Sequence, residues 1–459
     1  MFRTLANAWK IEDLRKKLLF TALILLIYRI GAVIPLPFLK GSAFQDGVAL
    51  SGGSALGFVN ILSGNAFQYG TLFALGVSPY ITASIVMQLL TVAIPPLERL
   101  AKRGEEGKEK IAQYTRYVTI ALSIITGIGY YMLIAKQWNM IHEGFNTSSN
   151  WLFFAIVIVA CLCAGSSVVM WLAEKINEKG IGNGISLILF ANIISRLPVS
   201  IAGNISSIIA NFKSMRDGTM KVGAFIGSLS FIICYALLIL ALVWFIIFIT
   251  DSERRIPVQY AKKVVGRKMY GGQSSNLPIK LNMTGVMPII FASTILSIPS
   301  TIMMFTGKPE SGFWLAVANQ FDPSSQVAWT YAIIQFLLII AFAYFYTAIS
   351  FNPIEVSGNL QKNGGAIPGI RPGKNTSDFI AKVLSRITLL GALFLSIICV
   401  LPLLLQLIFS LTPIGDYTAG LANIAFGGTS IMIVVGVILE TVREIEAQMT
   451  MRHYKGFLE

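Results

Sequence analysis

The stretch GGSALGFVNILSGNAFQYGTLFALGVSPYITASIVMQLLTVAIPP, Gly52 to Pro96, decides how the rest of the chain is read. Its second part, Leu72 to Ile94, is apolar and long enough to span a bilayer, which takes about 20 residues. Its first part, Ala55 to Leu62, is apolar but too short to cross. Glycines at 53, 57, 64 and 70 and serines at 51, 54 and 63 punctuate it. Two readings stay open from the stretch alone. One is a half-helix that enters the membrane region without crossing it, which requires surrounding protein or a wet cavity. The other is an amphipathic helix resting on the outer surface.

Composition favours a multi-pass membrane protein. The hydrophobic fraction is 55%, the charged fraction 13% and the mean hydropathy +0.70, too little charge for a soluble chain of 459 residues. The first apolar run starts near Leu18, is span-length and lacks a small-residue cleavage site. It reads as a first transmembrane helix rather than a signal peptide. Ten spans follow the same pattern, within several residues: 18–34, 72–94, 117–134, 152–172, 181–197, 223–249, 285–305, 327–349, 383–407 and 419–439. The domain reading is a cytoplasmic segment 1–17, a first five-helix half 18–200 and an outer loop 201–222. A second half, 223–439, and a cytoplasmic tail, 440–459, complete it.

Lysine and arginine placement orients the chain. Of the 36 Lys and Arg, 28 fall on the side that holds both ends and seven on the other, with Arg29 inside the first span. Both termini are therefore expected in the cytoplasm. Five spans per half is an odd number, so the second half lies inverted relative to the first. Inverted halves commonly place a pathway at their interface.

The spans hold almost no ionisable residues. Arg29 lies towards the outer end of the first span and can snorkel; Glu440 lies at the inner end of the last. Coupled pumps and proton relays place carboxylates or lysines in mid-membrane, and intramembrane hydrolases need a nucleophile with a base or metal. Neither pattern is visible, so no catalytic residue is expected. Cys161, Cys163, Cys234 and Cys399 lie in apolar runs, and His142 and His453 stand apart. No metal site and no cofactor is expected. No GxxxxGK[ST] stretch is present to cradle a nucleotide, so energy must come from partners.

Apolar pairs at helical spacing take the place of chemistry. Ile81 and Ile85 share one face of the second span, and Ile185 and Leu189 one face of the fifth. On spacing alone, ordinary packing is the simpler reading. The functional reading is an apolar collar that excludes water and ions and deforms around a large passenger.

Two cytoplasmic loops are unusually long. The segment 251–284 alternates apolar and basic residues and reads as a hairpin, with turn signals at Gly271-Gly272 and Leu277-Pro278. The segment 352–382 carries Pro368, Gly369, Pro372 and Gly373, a bent rigid tip that presents Arg371. Basic loops of this kind suit ribosomal RNA, an acidic protein or anionic lipid.

RRIPVQYAKK (Arg254 to Lys263), LPIKLNMTGVMPIIFAS (Leu277 to Ser293) and IPGIRPGKNT (Ile367 to Thr376) resemble the SecY family. So do GIGNGIS (Gly180 to Ser186), PYITASIVMQLL (Pro79 to Leu90) and FGGTSIMIVVGV (Phe426 to Val437). The match runs nearly end to end. The resemblance implies the large subunit of the bacterial protein-conducting channel, an all-α membrane fold of ten helices in two inverted halves around an hourglass pore. It implies a lateral gate between the second and third helices and the seventh and eighth. It also implies a plug helix over about 55–64, with Leu56, Phe58, Val59, Ile61 and Leu62.

By the same resemblance the pore ring falls on Ile81, Ile85, Leu189, Ile290 and Ile433, with Ile185 and Met287 as secondary candidates. Leu189 departs mildly from a frequent isoleucine and keeps the position apolar. Docking to the motor ATPase SecA or the ribosome is implied for Arg254, Arg255, Lys262, Lys263, Arg371 and Lys374. SecE-like and SecG-like subunits, signal peptides and nascent chains complete the implied partners, in the bacterial cytoplasmic membrane.

Overall fold

The computed structural model describes residues 2–40, 55–138, 140–141, 151–217, 222–260, 263–265, 268–270, 274–306, 315, 320–321, 328–410 and 428–455. A short amphipathic helix, α1 (Phe2–Lys10), leads into α2 (Glu12–Gly31). Two short helices follow, α3 (Ala55–Leu62) and α4 (Ala66–Tyr69). Then come α5 (Ser78–Ala93), α6 (Pro95–Ala101), α7 (Glu105–Met132), α8 (Trp151–Lys179) and α9 (Gly184–Arg216). The second half opens with α10 (Val222–Asp251) and four strands, β1 (Glu253–Tyr260), β2 (Lys263–Val265), β3 (Lys268–Tyr270) and β4 (Ser274–Lys280). It continues with α11 (Met287–Thr306), α12 (Ala328–Ser350), α13 (Pro353–Lys362), β5 (Gly365–Ala366), α14 (Lys374–Ser410) and α15 (Gly428–Lys455).

Ten of these helices form the body: α2, α5, α7, α8 and α9, then α10, α11, α12, α14 and α15. Within each set of five the packing order is the same. The second helix lies on the third, the third on the fourth and the fourth on the fifth, while the first closes against the fourth and fifth. This shared order carries the two-half architecture that the odd span count suggests. The halves meet along two seams. On one, α9 packs against α10 and α15; on the other, α11 packs against α5 and α7.

Among the described residues, length and apolarity alone qualify five helices as spans: Glu105–Ala135, Trp151–Lys179, Gly184–Arg216, Trp329–Lys362 and Lys374–Pro402. A sixth arises if α5 and α6, bent by 105°, count together. The bend has a local cause. Ile94 precedes Pro95 and is extended, at φ −109° and ψ 110°, as a pre-proline residue prefers. Leu19, Leu23, Leu26, Leu237, Leu240 and Trp244 are exposed large apolar side chains on α2 and α10, as expected of surfaces that face lipid.

Several expected boundaries move. The second span begins at Ser78 rather than Leu72, because left-handed Gly76 and Pro79 set the helix start there. The resulting 16-residue helix is only about 24 Å long. The outer loop expected over 201–222 is helical to Arg216, since α9 continues through Pro198. The expected tail 440–459 continues α15 as far as Lys455, and the segment 352–382 gives way to α14 at Lys374. The expected N-terminal segment 1–17 already contains α1 and the first turn of α2.

The two long loops also depart from expectation. Leu277-Pro278 is no turn: both residues lie inside β4, where Leu277 pairs with Ile256 and Pro278 with Arg255. Proline is tolerated because β4 is an edge strand of the sheet β4–β1–β5. The hairpin β2–β3 is inserted between the long strands β1 and β4. Gly271-Gly272 and Lys262 lie outside the described residues.

Candidate functional site

The waist is assembled from four helices and a short one. Asn183 caps α9, its Oδ1 accepting from the Ile185 N–H at 3.1 Å and the Ser186 N–H at 3.4 Å. That cap starts the helix that carries Ile185 and Leu189. Helix α11 starts just after left-handed Gly285, and the Ile290 N–H returns to the Val286 carbonyl at 3.2 Å. Ile81 and Ile85 come from α5 and Ile433 from α15.

All five primary ring residues are buried in one continuous apolar cluster: Ile81 3%, Ile85 4%, Leu189 0%, Ile290 2% and Ile433 1% exposed. Ile185 and Met287 are half-buried and pack against it. Ile61 and Leu62 of α3 join it, so the short helix lies against the waist and not on the outer surface. Val59, on the same helix, turns to a second cluster with Leu36, Phe67, Leu75 and Tyr130. Helix α3 itself packs on both α9 and α11, so it touches both halves. Leu56 and Phe58 lie on α3 as well.

The seam between α11 and α5–α7 is tight. A Cβ built on Gly129 of α7 would stand 2.7 Å from the Phe305 ring of α11. Small residues of this kind let helices approach closely in membranes. Further along α5, Gln88 Nε2 donates to the Ser84 hydroxyl at 3.4 Å, and its Oε1 is buried without a partner.

Where the two long loops lie, Ile256 and Val258 of β1, Ile279 of β4, Ile367 and the α14 residues Ile380, Leu384 and Ile387 share a small core. Alternation on β1 turns Arg255 outward, where its Nε meets Glu253 Oε1 at 2.7 Å. Arg254, Arg371 and Lys374 are exposed too. Gly369 and Gly373 have φ of +81° and +99°, and the Thr376 hydroxyl donates to the Arg371 carbonyl at 2.9 Å. The tip is thus fixed, with Arg371 at its apex. Lys263 lies on β2.

Sequence reasoning missed two contacts. It did not join the two long loops, which meet where β5 pairs with β1 at Gln259–Ala366 and Tyr260–Gly365. It also gave Arg29 no partner, whereas Arg29 Nη1 reaches Asn192 Oδ1 at 3.4 Å. The signal for the second was present: Asn192 is an amide in the middle of an apolar run.

Ten helices in two alike halves, closed on a buried apolar waist with a short helix seated against it, define a plugged membrane channel. A family model of SecY matches residues 71–442. The protein translocase subunit SecY of Streptomyces coelicolor is 42% identical over 465 residues, covering all of both chains. That of Thermus thermophilus is 41% identical over 461 residues, covering 100% of this chain and 98% of its own. The chain belongs to the SecY family. Among solved structures, a protein-conducting channel superposes with a TM-score of 0.64 at 17% identity, covering 94% of this chain and 91% of its own. Canine Sec61 in its ribosome-channel complex gives 0.61 at 16%, over the same shares. The fold is therefore that of the protein-conducting channels, and the chain is a multi-pass membrane protein.

Proposed function

We propose that Ile81, Ile85, Leu189, Ile290 and Ile433 form the constriction through which this channel passes unfolded polypeptides, flanked by Ile185 and Met287. Helix α3, with Leu56, Phe58, Val59, Ile61 and Leu62, is the plug that seals it at rest. The observation that carries this reading is the single buried cluster joining these five residues, from both halves, to Ile61 and Leu62. An apolar ring suits the task physically. It excludes water and ions by dewetting, and it makes weak, uniform contacts with side chains of any kind. A charged lining would retain some segments and reject others.

The seam of α5 and α7 with α11 and α12 serves as the lateral gate. A hydrophobic signal or transmembrane segment leaves through it into lipid, driven by apolar burial at roughly 25 cal/mol per Å². The chain works without catalysis of its own, so its partners supply the energy. Arg254, Arg255, Lys262, Lys263, Arg371 and Lys374 form the docking face for a ribosome or a SecA-like motor. SecE-like and SecG-like subunits complete the complex, and anionic lipid meets the polybasic cytoplasmic side. The termini lie in the cytoplasm, and the membrane is the bacterial cytoplasmic one.

A photoreactive probe at Ile81 or Ile290 tests the conduit directly. A secretory chain stalled in transit should crosslink to both, and not to a probe at lipid-facing Leu240. Equal labelling at all three positions would remove the waist from the path.

A further inference from the structure

Asn192 stands three residues beyond Leu189 on α9 and is fully buried. A buried amide must have its donors met. Its Nδ2 donates to the Leu62 carbonyl at 2.5 Å and to the Tyr28 hydroxyl at 2.8 Å. Its Oδ1 lies 3.4 Å from Arg29 Nη1. Tyr28 is itself fully buried and stacks on Phe73, with ring centroids 5.6 Å apart and planes at 13°.

Leu62 is the last residue of α3. The final carbonyls of a helix have no partner within it and carry the negative end of its dipole. Asn192 meets one of those carbonyls, and the Arg29 guanidinium lies beside the same end. Gly64, at φ +64°, completes the fit: a Cβ there would lie 2.6 Å from Arg29 Nη1 and 2.7 Å from Asn192 Oδ1. The turn after α3 is thus laid directly on the arginine–asparagine pair. Within the segment, Asn60 Nδ2 donates to Asn65 Oδ1 and Gln68 Oε1 and the Ser63 hydroxyl to the Asn60 carbonyl, and just beyond it the Tyr130 hydroxyl of α7, also in the first half, donates to the Phe67 carbonyl.

Tyr28 and Arg29 belong to α2 and Asn192 to α9, both in the first half. The apolar contact of α3 with α11, in contrast, crosses to the second half. Separating the halves removes the α11 contact and leaves the polar one standing.

We infer that Asn192, oriented by Tyr28 and Arg29, is a latch that holds the end of α3 to the first half, so that plug release is a step separate from parting of the halves. The inference rests on the reading of α3 as the seal. It adds a positioning residue, Asn192, that acts through the plug and does not line the constriction.

The test is resting ion conductance of the complete channel complex in planar bilayers, without substrate. Losing a buried hydrogen bond shifts a two-state balance by about fivefold. Asn192→Leu should raise the resting open fraction by about that factor or more. Tyr28→Phe, which removes a single oxygen, should raise it in the same direction by less. In a channel lacking residues 55–64, Asn192→Leu should add nothing. Wild-type resting conductance in both substitutions overturns the latch. So does an equal increment in the plug-deleted channel, because Asn192 would then act on the constriction itself. If Asn192→Leu fails to accumulate, Tyr28→Phe carries the comparison in both backgrounds. Export by the unmodified chain, measured alongside, reports separately on the conduit reading.

Discussion

Gln259 on β1 pairs in antiparallel register with Ala366 on β5, and that pairing joins two loops distant in the chain. Arg254 and Arg255 lie on opposite faces of β1 and Arg371 on the tip that follows β5, so one folded unit carries all three exposed arginines. A partner that grips one loop therefore bears on both. Arg371→Glu should lower motor-driven translocation of a secretory precursor into vesicles by about tenfold, the loss of a charge-assisted contact worth about 1.4 kcal/mol. Because Arg371 is exposed, thermal stability should stay unchanged. A wild-type rate with intact protein would remove the tip from the docking face.

The waist makes a different prediction. Ile85 and Ile290 come from opposite halves and are both buried in the central cluster. Replacing both with Gly opens a path for water where apolar side chains now touch. Resting ion conductance in planar bilayers should rise above that of the unmodified channel. Each lost side chain also removes roughly 2–5 kcal/mol of packing, so the melting temperature should fall in parallel. A destabilised channel that stays electrically silent would place the seal elsewhere.

How much of this was legible in the chain itself depended on whether the signal was local. Each of the ten body helices overlaps its expected span because a span is a run of apolar residues. The caps that set their ends, Asn183 before α9 and Pro95 after α5, act over a few residues. The five ring positions are carried by family motifs and not by spacing, since Ile81 and Ile85 alone are indistinguishable from packing. The pairing of β5 with β1 left no trace, because a two-residue strand has no period to detect. The partner of Arg29 escaped for a related reason: an arginine near a span end meets a group on another helix, here Asn192, that no local pattern marks.

Lys280 supplies a prediction in pH. Partial burial, with Arg443 beside it, holds its ammonium below the ordinary lysine value near 10.5, against the opposing pull of Asp251 and Glu253. The unfolded chain therefore holds the extra proton between the depressed value and 10.5. Across that window the contribution of Lys280 to stability rises with pH, and below it the penalty for charging the group is fully present. Lys280→Met removes the penalty. Its stability relative to the unmodified chain should be greatest near neutral pH and should fall as pH rises toward 10.5. Melting curves of the two in detergent, from pH 7 to 10.5, check this; parallel curves would reject it.

The seam between α7 and α11 is poised by the fit of Gly129 against Phe305. A side chain at position 129 has no room while the Phe305 ring keeps its place, since even a Cβ would lie 2.7 Å from it. Phe305 is 36% exposed and its ring can shift in part, so the overpacking costs about 1 kcal/mol, the low end of the usual range, and a closed seam bears it more than an open one. Gly129→Val should therefore shift the gate toward opening. The measurable consequence is tolerance: signal segments too weakly apolar to be accepted by the unmodified channel should now be exported. The cause is steric, so it should be reversible by making room. Phe305→Ala combined with Gly129→Val should restore the original threshold of signal hydrophobicity. A Gly129→Val channel with an unchanged threshold, or one that Phe305→Ala fails to correct, would show that this contact does not govern the gate.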